Sequence, residues 1–454
     1  QIRHRILHCT VLTQEKQVLE EQRIGKMYVN LVAKAIVRFW DGLFGNGFRR
    51  SPVLPWLLIL VLLILPSFGW YLHEHGQFST LKREIKGETQ GPVVAVSRPG
   101  GADPIILTRQ IVAGSTQPEF LSATLLPGLG MSILQITANL PGRGETSLLA
   151  APTLEAMADG TAGPRIGTND TRGALETPWA GGLSGVISPL GTTLATTWHG
   201  KTIEVPRTTQ AHGGAAEGGM LASSGADTTD THATATGPVA TGLFHATDFE
   251  SHWPSRTETT VAVALHATTL DITVISKNVG DQPEPVGVGW HPRFAITSGQ
   301  QMSVELRFPN GEKLEVADRV KEIPSGRVVT GGMIVEHFQG RAAAIGAETI
   351  NESLVHLKPA AAENWPSAEM RDPASGFGLR MVSQSNSIRE LRVMAPAGGN
   401  YVSLGMQTNF DDPLGKEWTT GEPSIQTLLP GESVEWKVRL EIFALPSRAA
   451  ASSR

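Results

Sequence analysis

Val434-Glu-Trp-Lys-Val-Arg-Leu-Glu-Ile442 alternates apolar with charged side chains without a break. Successive side chains of an extended strand point to opposite faces, so this period of two puts Val434, Trp436, Val438, Leu440 and Ile442 on a dry face and the charges on a wet one. Leu428-Leu-Pro-Gly-Glu432 is the turn that feeds the strand, and Ile323-Pro-Ser-Gly326 reads as another turn of the same kind. Residues 261–265 and 270–275 alternate in the same way, with Asn278-Val-Gly-Asp281 as the turn that follows. From about 92 to 446 the chain therefore reads as one long all-β domain. Residues 208–242 are rich in Gly, Ala and Thr and poor in large apolar side chains, which predicts a long surface loop. The tail, 447–454, reads as disordered.

Composition narrows the function classes. A 454-residue chain rich in Gly, Thr, Pro and Ala favours many short strands joined by turns over helical bundles. A formal charge of −5 offers no basic excess to neutralise a phosphate backbone, so no nucleic-acid partner is expected. The single cysteine, Cys9, allows no internal disulfide and no cysteine-based metal site. No phosphate loop, zinc signature or serine nucleophile elbow is present, and neither metal nor cofactor is expected.

The N-terminal part has a different character. The chain begins with Gln1, and Met27 is read as its native start, leaving 1–26 as an extension. Residues 53–72 are uncharged and largely aliphatic, with Leu57-Leu-Ile-Leu-Val-Leu-Leu-Ile-Leu65 at their centre. Twenty residues at about 1.5 Å each span roughly 30 Å, one hydrocarbon core, and the run has no polar face of the kind a core helix shows. It is expected to be a retained transmembrane helix. Lys34, Arg38, Arg49 and Arg50 lie just upstream, so the positive-inside rule puts residues 1–52 in the cytoplasm and the β domain on the far side. Residues 73–91 read as a linker.

The chemistry centres on Pro285-Val-Gly-Val-Gly-Trp-His-Pro-Arg-Phe294. His291 stands where a strand opens into a loop, and an imidazole with a pKa near 6.5 gives and takes a proton at neutral pH. Trp290 beside it is the type of ring on which apolar sugar faces stack. On spacing alone, a lone histidine beside aromatic rings reads more simply as a structural one. Asp411-Asp412 looks like a carboxylate pair, but neighbours in an extended segment face opposite ways, so these two are expected to be turn acceptors.

The longer run Asn278 to Phe294 resembles the aldose 1-epimerase (galactose mutarotase) segment that reads Asn, a short turn, Pro, then Gly-x-His-Pro-Tyr-Phe. Pro178-Trp-Ala180, His212-Gly-Gly214, Ile323-Pro-Ser-Gly326 and Tyr401-Val-Ser-Leu-Gly-Met-Gln-Thr-Asn409 follow in that family's order. The resemblance covers roughly 100–443. It implies a mutarotase-like β-supersandwich of two large antiparallel sheets, with a hexose held in an open cleft. It also implies that His291 is the acid that protonates the ring oxygen and that His212 orients the substrate, with Trp179, Trp290 and Gln407 as further substrate-binding positions. The departures are specific. The family's base stands in Leu-Glu-Pro-Gln, where this chain reads Leu404-Gly405-Met406-Gln407, and its Asn-Arg is Gly181-Gly182 here. Its Asp-His segment has Asn351-Glu352 as the nearest text, and Asp411 and Glu352 are the candidate substitutes for the base. The expectation is a membrane-anchored carbohydrate-binding domain that interconverts anomers if competent, the alternative being a non-catalytic membrane-anchored binder in which Gly405→Glu would create activity.

Overall fold

The structure, a computed structural model, describes residues 98–112, 114–154, 173–207, 216–318, 323–418 and 422–446, with Lys34 standing alone before them. The chain divides between Thr89 and Gln90, and the second unit, Gln90–Arg454, carries the architecture below. The expected anchor at 53–72, its flanks at 1–52 and 73–91, and the tail at 447–454 lie outside the described residues, Lys34 excepted. Among the described residues no helix is long and apolar enough to cross a membrane.

Two large antiparallel sheets form the body of the domain. In the nine-stranded sheet the order is Thr228–Thr234, Gly237–Thr247, Thr257–Leu265, Thr269–Asn278, Ser433–Ala444, Phe377–Ser383, Ser367–Asp372, Glu305–Arg307 and Ala343–Ala344. The period-two strand read from the sequence therefore sits at its middle. In the eight-stranded sheet the order is Ile323–Val329, Asn310–Asp318, Ile350–Lys358, Glu390–Ala395, Tyr401–Gln407, Gly289–Trp290 and Leu175–Glu176, and Arg293–Ala295 also pairs with Tyr401–Gln407. One hydrophobic cluster joins the two, with Trp436, Val438 and Leu440 from the first and Leu391, Val393, Leu404 and Met406 from the second, all fully buried. Each such side chain contributes about 1.5–3 kcal/mol by leaving water. The Trp436 indole N–H crosses between the sheets to donate to the Met406 carbonyl at 3.0 Å, so its one polar atom is satisfied where it is buried. A four-stranded sheet, Ile105–Thr108 to Gly144–Ser147, adds to the same core.

Two expectations change. The loop predicted over 208–242 is a β-hairpin from Thr228 onward, because Thr228–Thr234 is an edge strand exposed along its whole length and needs no core formers, while its β-branched threonines suit an extended chain. Its partner, Gly237–Thr247, buries Ala240 and Phe244. Ile323-Pro-Ser-Gly326 begins an edge strand, Ile323–Val329, with a left-handed Gly326 (φ 73°) inside it.

Candidate functional site

Period two decides what faces the cavity. Leu391, Val393 and Ala395 alternate with Glu390, Arg392 and Met394, and Val402, Leu404 and Met406 alternate with Tyr401, Ser403, Gly405 and Gln407. The apolar sets go to the core and the rest share the other face. Register then builds rows across that face. Glu390 lies opposite Gln407, Arg392 opposite Gly405 and Met394 opposite Ser403. On one side Ser353 meets Arg392 and Asn351 meets Met394, and on the other Arg293 meets Ser403. This polar face is the floor of a cavity of about 360 Å³ whose walls include Glu176, His291, the 181–184 segment, Asp411 and Asp412. Its volume falls within the ~300–1,000 Å³ usual for small-molecule sites.

His291 follows the short Gly289–Trp290 strand on the cavity side. Its Nδ1 lies 3.1 Å from Glu176 Oε1, and Glu176 Oε2 accepts the Gly181 N–H at 2.8 Å. The side chain is 19% exposed, while Nε2 itself is buried and has no hydrogen-bond partner among the described residues. Burial draws the imidazole pKa down, but the Glu176 charge and hydrogen bond, with Asp411 beyond, outweigh it and leave the group raised above 6.5. A carboxylate accepting from Nδ1–H fixes the neutral tautomer with Nε2 bare, and in the imidazolium the second proton sits on Nε2, pointing away from Glu176.

Across from His291, Arg392 Nη1 and the Ser353 hydroxyl (2.7 Å) both donate to Asp411 Oδ2. The Asp411 backbone N–H donates to Glu390 Oε2 at 2.9 Å, and Asp411 Oδ1 has no hydrogen-bond partner among the described residues. Glu390 is fully buried, and burial together with the Asp411 charge pushes its carboxyl well above the usual range. Asp412 turns the chain through a left-handed φ of 49° and accepts from both the backbone and the hydroxyl of Ser184. That turn is why Asp411 and Asp412 line one cavity instead of diverging as extended neighbours do, and Asp411 is more than a turn acceptor.

The other expected positions fall elsewhere. Trp290 is fully buried in the inter-sheet core, its N–H on the Gly173 carbonyl at 3.3 Å, because alternation that turns His291 to the cavity turns its neighbour away. Trp179 is also fully buried, stacked on Trp253 with ring centroids 5.4 Å apart. Neither ring offers a face to the cavity. Tyr401 lines it, with the Arg293 guanidinium over its ring 4.9 Å from the centroid. Gln407 is buried in the floor beside Gly181 and Asp411, its amide without a partner among the described residues. Glu352 points the other way, to Lys313 Nζ at 2.5 Å. His212 lies outside the described residues.

Over residues 173–441, more than half of its length, the sequence matches the aldose 1-epimerase family. The chain belongs to that family. No curated protein sequence matches it. Among solved structures it is similar to a galactose mutarotase-like protein from Clostridium acetobutylicum, at 14% identity and a TM-score of 0.59 over 75% of this chain and 99% of that one. It is similar also to an aldose epimerase homologue from C. elegans, at 13% identity and a TM-score of 0.53 over 72% of this chain and 96% of that one. At these identities the likeness is one of fold.

Within an aldose 1-epimerase fold, Gly405 takes on a definite meaning. A Cβ there would lie 1.7 Å from His291 Cδ2 and 2.7 Å from Nε2. The imidazole occupies the space that a side chain at 405 would need, so a glutamate at that position would displace His291. Gly181 (φ 74°) is the second departure, and a Cβ there would meet Asp411 Oδ1 at 3.0 Å.

Proposed function

We propose that this domain binds a pyranose in the cavity and interconverts its anomers, with His291 as the acid that protonates the ring oxygen. The observation that carries the reading is the His291–Glu176 pair: Nδ1 is held on a carboxylate, and Nε2 is buried without a partner in a residue that lines the cavity. The chemistry requires a proton on the ring oxygen as the C1–O5 bond breaks, rotation about C1–C2, and return of that proton on closure. A histidine gives and takes a proton near neutrality, and the upward shift favours the charged form that donates it. Tyr401 supplies an aromatic surface and Asn351, Ser403 and Arg392 supply polar groups for hydroxyls. In the full chain the domain is carried outside the cytoplasm by a membrane helix at 53–72, a reading supported by that run's length and lack of charge.

The test is optical rotation of freshly dissolved α-hexoses with the full chain. Acceleration over the spontaneous rate, lost in His291→Gln with sugar affinity kept within a few-fold, is expected. A second reading, a binder without catalysis, is favoured by Gly405, which leaves the family's position for the base without a carboxylate. An unchanged mutarotation rate with measurable sugar binding would select it.

A further inference from the structure

We propose that Asp411 is the catalytic base of this chain, taking the proton of the anomeric hydroxyl in place of a carboxylate at position 405. The proposal rests on reading the cavity as an anomer-interconverting site.

Four carboxylates line the cavity, namely Glu176, Glu217, Asp411 and Asp412. Glu176 is committed to His291 and the Gly181 N–H. Both oxygens of Asp412 accept from Ser184. Glu217 has an interaction of its own. Asp411 differs in having one oxygen fully engaged and the other without a partner among the described residues. Oδ2 takes Arg392 and Ser353, the backbone N–H is held by Glu390, and Oδ1 is thereby fixed in direction. A base must be held in this way to act on a bound hydroxyl without reorganising. The cation beside the Asp411–Glu390 pair, Arg392, is on the Asp411 side.

The two departures from the family pattern are linked through this geometry. Glycine at 405 lets the His291 ring settle against the floor, and glycine at 181 keeps a Cβ from crowding the buried, unpartnered Asp411 Oδ1 at 3.0 Å. Gly181 joins the halves of the site, because its N–H holds Glu176, which holds His291, while its Cα faces Asp411. The acid and the base thus flank one residue, as they must to reach a ring oxygen and a hydroxyl bonded to the same carbon. In the step, Asp411 Oδ1 takes the anomeric proton and the O–H pair becomes the second bond of the C1 carbonyl. The C1–O5 pair leaves with O5, which takes the Nε2 proton of His291. Closure on the other face returns both protons, so no further reactant is needed.

The experiment is mutarotation by the full chain carrying Asp411→Asn, Asp411→Ala or Gly181→Ala, each checked for folding by circular dichroism and for sugar affinity. Asp411→Asn keeps the shape and is expected to lower kcat about 10²–10⁴-fold with KM within a few-fold. Asp411→Ala is expected to recover rate in proportion to added formate, which a purely structural role for Asp411 does not predict. Gly181→Ala leaves Arg392 and Ser353 untouched, brings a methyl to 3.0 Å from Oδ1 and is expected to lower kcat at least tenfold. Asp411→Asn or Gly181→Ala with kcat within threefold of wild type, or a folded, sugar-binding Asp411→Ala that formate does not rescue, overturns the assignment while leaving the site reading intact. A wild-type chain that leaves every hexose at its spontaneous rate overturns both.

Discussion

Gly405→Ala adds a single methyl, and its consequence follows from one set of distances. The new Cβ would stand 1.7 Å from His291 Cδ2 and 2.8 Å from Cγ, whereas non-bonded carbons settle about 3.5–4.0 Å apart. The ring must therefore shift by about 2 Å, a displacement expected to break the 3.1 Å contact of Nδ1 with Glu176. Losing a charge-assisted hydrogen bond costs about 1.5–3 kcal/mol and overpacking about 1–3 kcal/mol, so a loss of about 3–5 kcal/mol is expected. A shift of about 1 Å in a catalytic group already costs roughly 10²-fold in rate, and this one is larger. The His291 pKa is raised in the folded state, so the stability it contributes is fully present below its ordinary 6.5 and is lost as pH rises through the folded value. The urea midpoint of Gly405→Ala should thus fall furthest below wild type near pH 6, with the gap narrowing above neutrality. Gly405→Glu should behave worse than alanine and gain no activity. A Gly405→Ala chain with wild-type urea midpoint and wild-type mutarotation rate would refute the placement of the imidazole.

Other outcomes follow from the same structure. Glu284 is fully buried, accepts from the Thr257 hydroxyl at 2.8 Å, and is pushed up to about 7 chiefly by burial. Its folded pKa being raised, wild type should lose about 3 kcal/mol between pH 4.5 and 7 from this group, and Glu284→Gln should flatten that slope in urea titrations across the range. Asn409 is fully buried and ties both backbone groups of Ala180, accepting its N–H at 3.0 Å and donating to its carbonyl at 2.9 Å. Asn409→Ala should cost about 2–4 kcal/mol by the urea midpoint and should weaken sugar affinity, because Ala180 positions Gly181. If residues 53–72 form the anchor, the chain should sediment with membranes and resist alkaline carbonate, and release by carbonate would contradict it.

What the sequence made legible was what periodicity records. Strands with one dry face, such as Thr257–Leu265, Thr269–Asn278 and Ser433–Ala444, stand out because every second side chain is buried. His291 stood out through its motif. Glu176 did not, because a two-residue strand has no period to read. Arg392 and Glu390 were readable in principle, since Glu-Leu-Arg-Val-Met-Ala sends its polar set to one face, but only the fold says that this face is a cavity floor. The same alternation, applied to Gly289-Trp290-His291, already separates the tryptophan from the histidine. Asp411 was obscured by assuming extended backbone where Asp412 is left-handed, a conformation that non-glycine residues seldom adopt. The edge hairpin at 228–247 escaped because an exposed strand can be built without core formers.

The most direct test of the central claim is the relaxation of optical rotation of freshly dissolved α-galactose and α-glucose, at pH 7, with the full chain and with His291→Gln side by side. The account predicts that wild type shortens the relaxation of at least one hexose in proportion to protein concentration and that His291→Gln leaves it at the spontaneous rate while still binding the sugar. Equal acceleration by the two proteins, or none by wild type, would contradict it.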